Sequence, residues 1–226
     1  MKIGIYGFGA IGKMAFKLAL ERGHEVVSVV DIDERIVGKD AGEVAGVGKL
    51  GVKVSKSLEG VEEADVVIHA TGSYLNKVFN QIAELVELGV NVVSTCETLS
   101  YPYYRYPVLA RRLDELARSS GVTVIGTGIN PGLLFDTLIA TMASSMTSVK
   151  KIKAVRSLDA AKRRAPFREK IGVGKDPALV KSMLEKGEIT GHVGYAESIY
   201  LLAYAGELEL TRVEAVSYTH LTLPTS

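Results

Sequence analysis

The chain has 226 residues, is 47% hydrophobic and carries 27 basic against 26 acidic residues, a formal net charge of +1. That balance removes any electrostatic reason to expect nucleic acid or an anionic membrane as partner, and no apolar run is long enough to span a bilayer. A single cysteine, Cys96, excludes an intramolecular disulfide and a CxxC metal site and fits a reducing cytoplasm.

The opening MKIGIYGFG lacks the long apolar core of a signal peptide. Residues 3–6 (IGIY) predict a short strand, followed by GFGAIG and a helical stretch through Leu20. Residues 26–30 (VVSVV) predict a second strand ending at Asp31, and residues 65–70 (DVVIHA) a further one. LNKVFNQIAELVEL follows, with apolar positions 75, 78, 79, 82, 83 and 86 at helical spacing and Gly89 as its stop signal. Residues 90–94 predict a strand, residues 107–118 a helix with Leu109, Leu113, Leu116 and Ala117 on one face, and residues 122–126 another strand after Gly121.

Strands alternate with helices, and the strands are continuous apolar runs. That pattern predicts an α/β fold, a doubly wound parallel (Rossmann) sheet covered on both faces. After residue 127 the pattern changes. Residues 132–145 read as helix and 149–156 (VKKIKAVR) as a strand with one wet face. A polar stretch leads to DPALVKSMLEKG, a helix punctuated by Asp176, Pro177 and Gly187, and residues 193–206 predict one more helix. This half is read as the start of an α+β substrate domain. The expected division is a Rossmann domain over 1–127, a partial substrate domain over 128–215, and a tail over 216–226. The tail's VSYTHLTLPTS resembles translated sequencing-adapter read-through, which makes the parent protein longer; nothing is read into His220.

Gly7, Gly9 and Gly12 form a GxGxxG directly after a strand and opening a helix, with Asp31 nineteen residues after Gly12 at the end of the second strand. In that context the turn Gly7, Phe8, Gly9, Ala10, Ile11, Gly12 reads as a dinucleotide site. Gly7 permits the tight turn, Gly9 lets the backbone approach a pyrophosphate, and Gly12 lets helix and sheet pack closely. Asp31 would accept hydrogen bonds from ribose hydroxyls and favours NAD; Arg35 is placed to meet a 2′-phosphate or to sit in solvent, so NADP stays open.

Three segments fall at the ends of later strands: ATGSYL (Ala70, Thr71, Gly72, Ser73 onward), STCETLSYP (94–102) and GTGINPG (126–132). Each pairs small residues with polar ones, as a cofactor and substrate pocket needs. GKDAGEVAG (38–46) resembles the dihydrodipicolinate reductases. ATGSYL, NVVSTCETLSYP, GTGINPGLLFDTL, RSLDAAKRRAPFREKIGVG and GHVGYAES resemble more closely the 2,4-diaminopentanoate dehydrogenase family, over residues 1 to about 210. That resemblance implies NAD(P)-dependent oxidative deamination of 2,4-diaminopentanoate, or a similar diamino acid, to 2-amino-4-oxopentanoate and ammonia. The histidine-rich catalytic cluster of the reductases is missing, which counts against the same imine reduction. A dihydrodipicolinate reductase-like imine reductase and a non-catalytic dinucleotide-sensing protein are the alternatives.

Amine oxidation needs a base, because an ammonium nitrogen has no lone pair with which to form an iminium. Glu97 is read as that group, binding the ammonium or taking its proton, in preference to Cys96 as a nucleophile; Cys96 is read as a small buried lining residue. Asn130 orients nicotinamide or substrate, or is a turn amide before Pro131. Asp136 is an acid of a helix's first turn. Arg163, Arg164 and Lys170 are candidates to clamp a substrate carboxylate, with Glu197 beside them as a substrate-binding acid, and His192 is an outside candidate for acid or base. Tyr101, Tyr103, Tyr104 and Tyr106 are read as a wall over the site or as packing. The expected partner is a small diamino acid. Related folds often pair through the substrate domain, so a homo-oligomer is expected by analogy alone.

Overall fold

The computed structural model describes residues 1–157, 159, 162, 168–169, 171–189 and 193–214. Six parallel strands form one sheet: β1 (Lys2–Tyr6), β2 (Glu25–Val30), β3 (Val54–Ser55), β4 (Val66–His69), β5 (Asn91–Ser94) and β6 (Val124–Gly126), in the spatial order β3-β2-β1-β4-β5-β6. The order reverses at β1, so the carboxyl ends of β1 and β4 flank a crevice where ligands of such sheets bind.

Helices cover both faces. On one, α1 (Ala10–Glu21) and α2 (Ala41–Ala45) enclose Ile3, Ile5, Phe16, Val26, Val29 and Val54. On the other, α3 (Leu75–Glu87) and α5 (Pro107–Ser120) enclose Val67, Val92, Cys96 and Leu113; the four-residue α4 (Pro102–Arg105) leads into α5. The α3 stripe comprises Leu75, Val78, Phe79, Ile82, Leu85 and Val86, all buried. Each such side chain is worth about 1.5–3 kcal/mol relative to exposure, so this stripe, not helix propensity, holds α3 on the sheet. The stop signals act as expected. Gly89 and Gly121 take positive φ of 76° and 68° just past α3 and α5, where a Cβ would be strained.

Downstream lie α6 (Thr137–Ala143), α7 (Pro177–Glu185) and α8 (Tyr195–Ala205). Asp176 caps α7 by accepting from the N–H groups of Ala178 and Leu179, with Pro177 in the first turn. One expectation is corrected: residues 149–156 are not a strand. Val149, Ile152 and Val155 are exposed, and no strand among the described residues lies alongside to complete a ladder. An alternating pattern alone does not make a strand without a pairing partner. No helix among the described residues is long and apolar enough to cross a membrane.

The sheet carries one buried histidine. His69 ends β4 with no exposed surface and sits edge-on to Tyr6, ring centroids 5.5 Å apart. Its Nδ1 lies 2.9 Å from Ser94 Oγ, and its Nε2 lies 2.9 Å from Gln81 Oε1 and from Thr71 Oγ1. Gln81 Oε1 can only accept, so Nε2–H donates to it and Nδ1 of the neutral ring accepts from the Ser94 hydroxyl, whose oxygen also accepts the Cys96 N–H. Burial pushes the His69 pKa below that of a free histidine, and the Gln81 hydrogen bond only partly opposes this. The folded state therefore binds this proton less readily than the unfolded chain. The resulting stability is fully present above about pH 6.5 and is lost as pH falls toward the folded value. Thermal unfolding followed between pH 7.5 and 5 will show a smaller acid-side loss of Tm in His69→Gln than in the wild type; parallel slopes would contradict this account.

Candidate active site

The β1–α1 turn is shaped by contacts that leave no choice of residue at two positions and full choice at a third. Gly7 has φ of 93°, and a Cβ there would lie 2.7 Å from the Ala70 carbonyl oxygen. A Cβ on Gly12 would lie 1.8 Å from the Gly7 carbonyl oxygen. Gly9 is different. Its φ is −74°, and a Cβ would meet nothing within 4 Å. The protein itself gives no steric reason for glycine there; close approach of a ligand does. Gly9 N-caps α1 without a side-chain cap, so first-turn N–H groups near Ala10 and Ile11 face outward at the positive end of the helix. Phe8 anchors the turn by burying its ring edge-on against Phe16, centroids 5.2 Å apart.

Asp31 closes the same turn from β2. Its carboxylate accepts the backbone N–H of Phe8 and, at 2.9 Å, that of Asp33. Arg35 is turned toward Asp33: Nε donates to Oδ1 at 2.9 Å and Nη2 to Oδ2 at 2.7 Å. These bonds hold the Asp33 carboxyl at about 2, below the usual carboxylate range. A dinucleotide fits this cradle: N–H donors for a pyrophosphate, an open glycine beneath it and a carboxylate at the ribose end.

The three strand-end segments meet beyond β4, β5 and β6. Ala70 N–H donates to the Tyr6 carbonyl, Thr95 N–H to His69 and Thr127 N–H to Ser94, so the loops leave the sheet still hydrogen-bonded to neighbouring strands. Thr71 is exposed, while Gly72 and Ser73 are half-buried. Thr98 Oγ1 accepts the N–H of Leu75 at 2.8 Å, and Thr98 N–H donates to the Ser73 carbonyl. Thr98 thus supplies the cap that Tyr74 does not. Glu97 opens the 3-10 turn Glu97–Leu99, with a half-buried side chain. Gly126 lets β6 press onto this turn: a Cβ there would lie 2.4 Å from the Leu99 carbonyl carbon.

Cys96 faces the other way. It is fully buried, and desolvation raises its thiol pKa despite the nearby Thr98 hydroxyl. A protonated, inaccessible thiol is a poor nucleophile.

The first turn of α8 completes the group. Gly194 has φ of 104°, and a Cβ there would lie 2.3 Å from Pro131 Cδ and 3.4 Å from Glu97 Cβ. Ser198 Oγ donates to Asp136 Oδ2 at 2.7 Å and lies 3.3 Å from the Asn130 amide oxygen. Asp136 is fully buried and also accepts from the N–H groups of Gly132 and Thr137. It therefore joins α6 to α8 rather than merely lying near a helix dipole. Glu197 is fully buried, and its Oε1 accepts from Arg105 Nε at 2.8 Å. Tyr200 stacks on Tyr104, centroids 4.3 Å apart, and faces Tyr101 at 6.0 Å, so the tyrosine wall is a contact with α8.

The structure brings Glu97, Asn130 and Glu197 into one neighbourhood. Arg163, Arg164, Lys170 and His192 lie outside the described residues. Sequence reasoning missed Arg105, Thr98, Ser198 and His69. Arg105 had a signal, a lone charge within the aromatic run YPYYRYP.

The two glycines predict opposite outcomes. Gly12→Ala will cost at least about 2 kcal/mol in urea unfolding, because a backbone oxygen cannot give way. Gly9→Ala will change stability by less than about 1 kcal/mol yet weaken NAD(P)H binding at least tenfold, read by nicotinamide fluorescence. Unaltered binding in Gly9→Ala would count against this turn as the cofactor site.

Comparison with known proteins accords with this geometry. Residues 1–98 match the model of the dihydrodipicolinate reductase N-terminus, and residues 133–222 match that of the 2,4-diaminopentanoate dehydrogenase C-terminal domain. A 2,4-diaminopentanoate dehydrogenase of Acetoanaerobium sticklandii is 33% identical over 215 residues, covering 91% of this chain and 60% of that protein. A 4-hydroxy-tetrahydrodipicolinate reductase of Archaeoglobus fulgidus is 39% identical over 94 residues, 41% of this chain and 35% of that one. The solved amine dehydrogenase of Mycobacterium smegmatis superposes with a TM-score of 0.79 at 25% identity, covering 94% of this chain and 63% of that one. The chain thus spans roughly three-fifths of the length of the full-length relatives that it follows throughout. An N-terminal half similar to the reductases is thus continuous with a second half similar to the 2,4-diaminopentanoate dehydrogenase C-terminal domain, and the two together are similar to one dehydrogenase over 91% of this chain.

Proposed function

We propose that the protein catalyses NAD(P)-dependent oxidative deamination of 2,4-diaminopentanoate or a similar diamino acid, giving 2-amino-4-oxopentanoate and ammonia. The observation that carries this reading is the position of Glu97. It lies at the carboxyl edge of β5, pressed on by β6 and by the α8 turn, on the same sheet edge as a glycine turn open to a dinucleotide.

In this reading Glu97 takes a proton from the substrate ammonium, leaving a neutral amine. Bound nicotinamide supplies the hydride acceptor. Loss of hydride from the amine-bearing carbon gives an iminium; water adds to that carbon, and the C–N bond breaks to release ammonia and the ketone. Asp31 takes the ribose hydroxyls. With Asp33 and its bound Arg35 beside it, the ribose end favours NAD over NADP. Asn130, fixed by the Ser198–Asp136 contact, orients nicotinamide or substrate. Arg163, Arg164 and Lys170 are assigned to the substrate carboxylate and His192 to a second acid–base role, on resemblance alone. We assign residues 1–127 to the cofactor, residues 128–215 to the substrate, and the protein to the cytoplasm. The imine-reductase alternative is supported only over residues 1–98, the cofactor half.

The test is reduced-nicotinamide absorbance with 2,4-diaminopentanoate, in wild type beside Glu97→Gln. The expected result is a fall in kcat of at least about 100-fold, the low end for loss of a general base, with NADH binding retained. A variant within threefold of wild type would move the base elsewhere.

A further inference from the structure

The Arg105–Glu197 pair joins α4 to the first turn of α8, three residues beyond the Gly194 contact with Glu97 and Pro131. Its two members are unequally placed. Glu197 is fully buried, whereas the Arg105 side chain is 38% exposed. Only Arg105 Nε is used, donating to Glu197 Oε1 at 2.8 Å. Its terminal Nη groups make no hydrogen bond among the described residues. The Tyr104 ring lies 5.5 Å from the guanidinium carbon and limits its swing. Glu197 Oε2 is buried with no hydrogen-bond partner among the described residues, so this carboxylate is committed to Arg105. The hydrogen bond and charge of Glu197 in turn hold the guanidinium firmly protonated.

A partly exposed guanidinium gripped at Nε, with its terminal nitrogens making no hydrogen bond among the described residues, is arranged to receive a planar anion in two parallel hydrogen bonds. Glu197 cannot touch a ligand from its buried position and acts through the arginine. Resting on the reading of Glu97 as the amine-binding acid, we propose that Arg105 is a carboxylate-recognising residue of the substrate site and that Glu197 is its positioning residue. This assignment is additional to any contribution from residues 163–170.

The experiment compares two amines in the full-length protein, 2,4-diaminopentanoate and the carboxylate-free pentan-2-amine, for wild type, Arg105→Gln, Arg105→Lys and Glu197→Gln. The quantity read is the ratio of kcat/KM for the first amine to that for the second. Arg105→Gln should lower the ratio at least tenfold, through KM more than kcat. Arg105→Lys keeps a charge beside Glu197 but loses the fork, and should lower it at least threefold; it decides the matter if the glutamine variant does not fold. Glu197→Gln should shift the ratio the same way by a smaller factor. Equal losses on both amines, or an unchanged ratio in the folded variants, would overturn the proposal while leaving the amine-dehydrogenase reading standing. No turnover of either amine by wild type, with NADH still bound, would overturn that reading and this proposal with it.

Discussion

The candidate site depends on how closely residue 194 approaches Pro131. A Cβ there would sit 2.3 Å from Pro131 Cδ, and φ is 104°, so only glycine fits comfortably. That contact seats the first turn of α8 between the STCE and NPG loops. From it follow Ser198 against Asp136, Glu197 against Arg105, and the stacking of Tyr200 on Tyr104.

The cofactor end rests on a different kind of constraint. Gly7 and Gly12 are dictated by the protein's own backbone, through Ala70 and Gly7 respectively. Gly9 is dictated by nothing in the protein. A glycine that its own fold does not require is better evidence of a ligand than one that it does. The His69–Ser94–Gln81–Thr71 network ties β4, β5 and α3 behind the turn that faces this cradle. Its buried members, His69 and Ser94, both have hydrogen-bond partners, which specifies a geometry where apolar packing would allow several.

The sheet was legible because its signals are local. Apolar runs, glycine stops and the α3 stripe each act within a dozen residues, and the structure follows them closely. The strand expected at 149–156 failed because a strand is a property of two segments, and the sequence pattern reported only one. At the site, Glu97 and Asn130 were singled out as candidates by their places in strand-end motifs. Arg105 and Ser198 were not, because their roles come from contacts across 92 and 62 residues that no spacing rule encodes. Glu197 was identified as a site residue, but its burial, which argues for action through Arg105, is visible only in the fold. Cys96 lies beside Glu97 in sequence yet turns into the α3 core, so adjacency along the chain was no guide to function.

In the proposed reaction an amine-bearing carbon gives up hydride at the edge formed by Glu97 and the dinucleotide turn. The most direct measurement uses 2,4-diaminopentanoate deuterated at C4, with mass spectrometry of the reduced nicotinamide product. The account predicts one deuterium on the reduced cofactor per ammonia released. Ammonia released with an undeuterated reduced cofactor, or with no cofactor reduction, would contradict it.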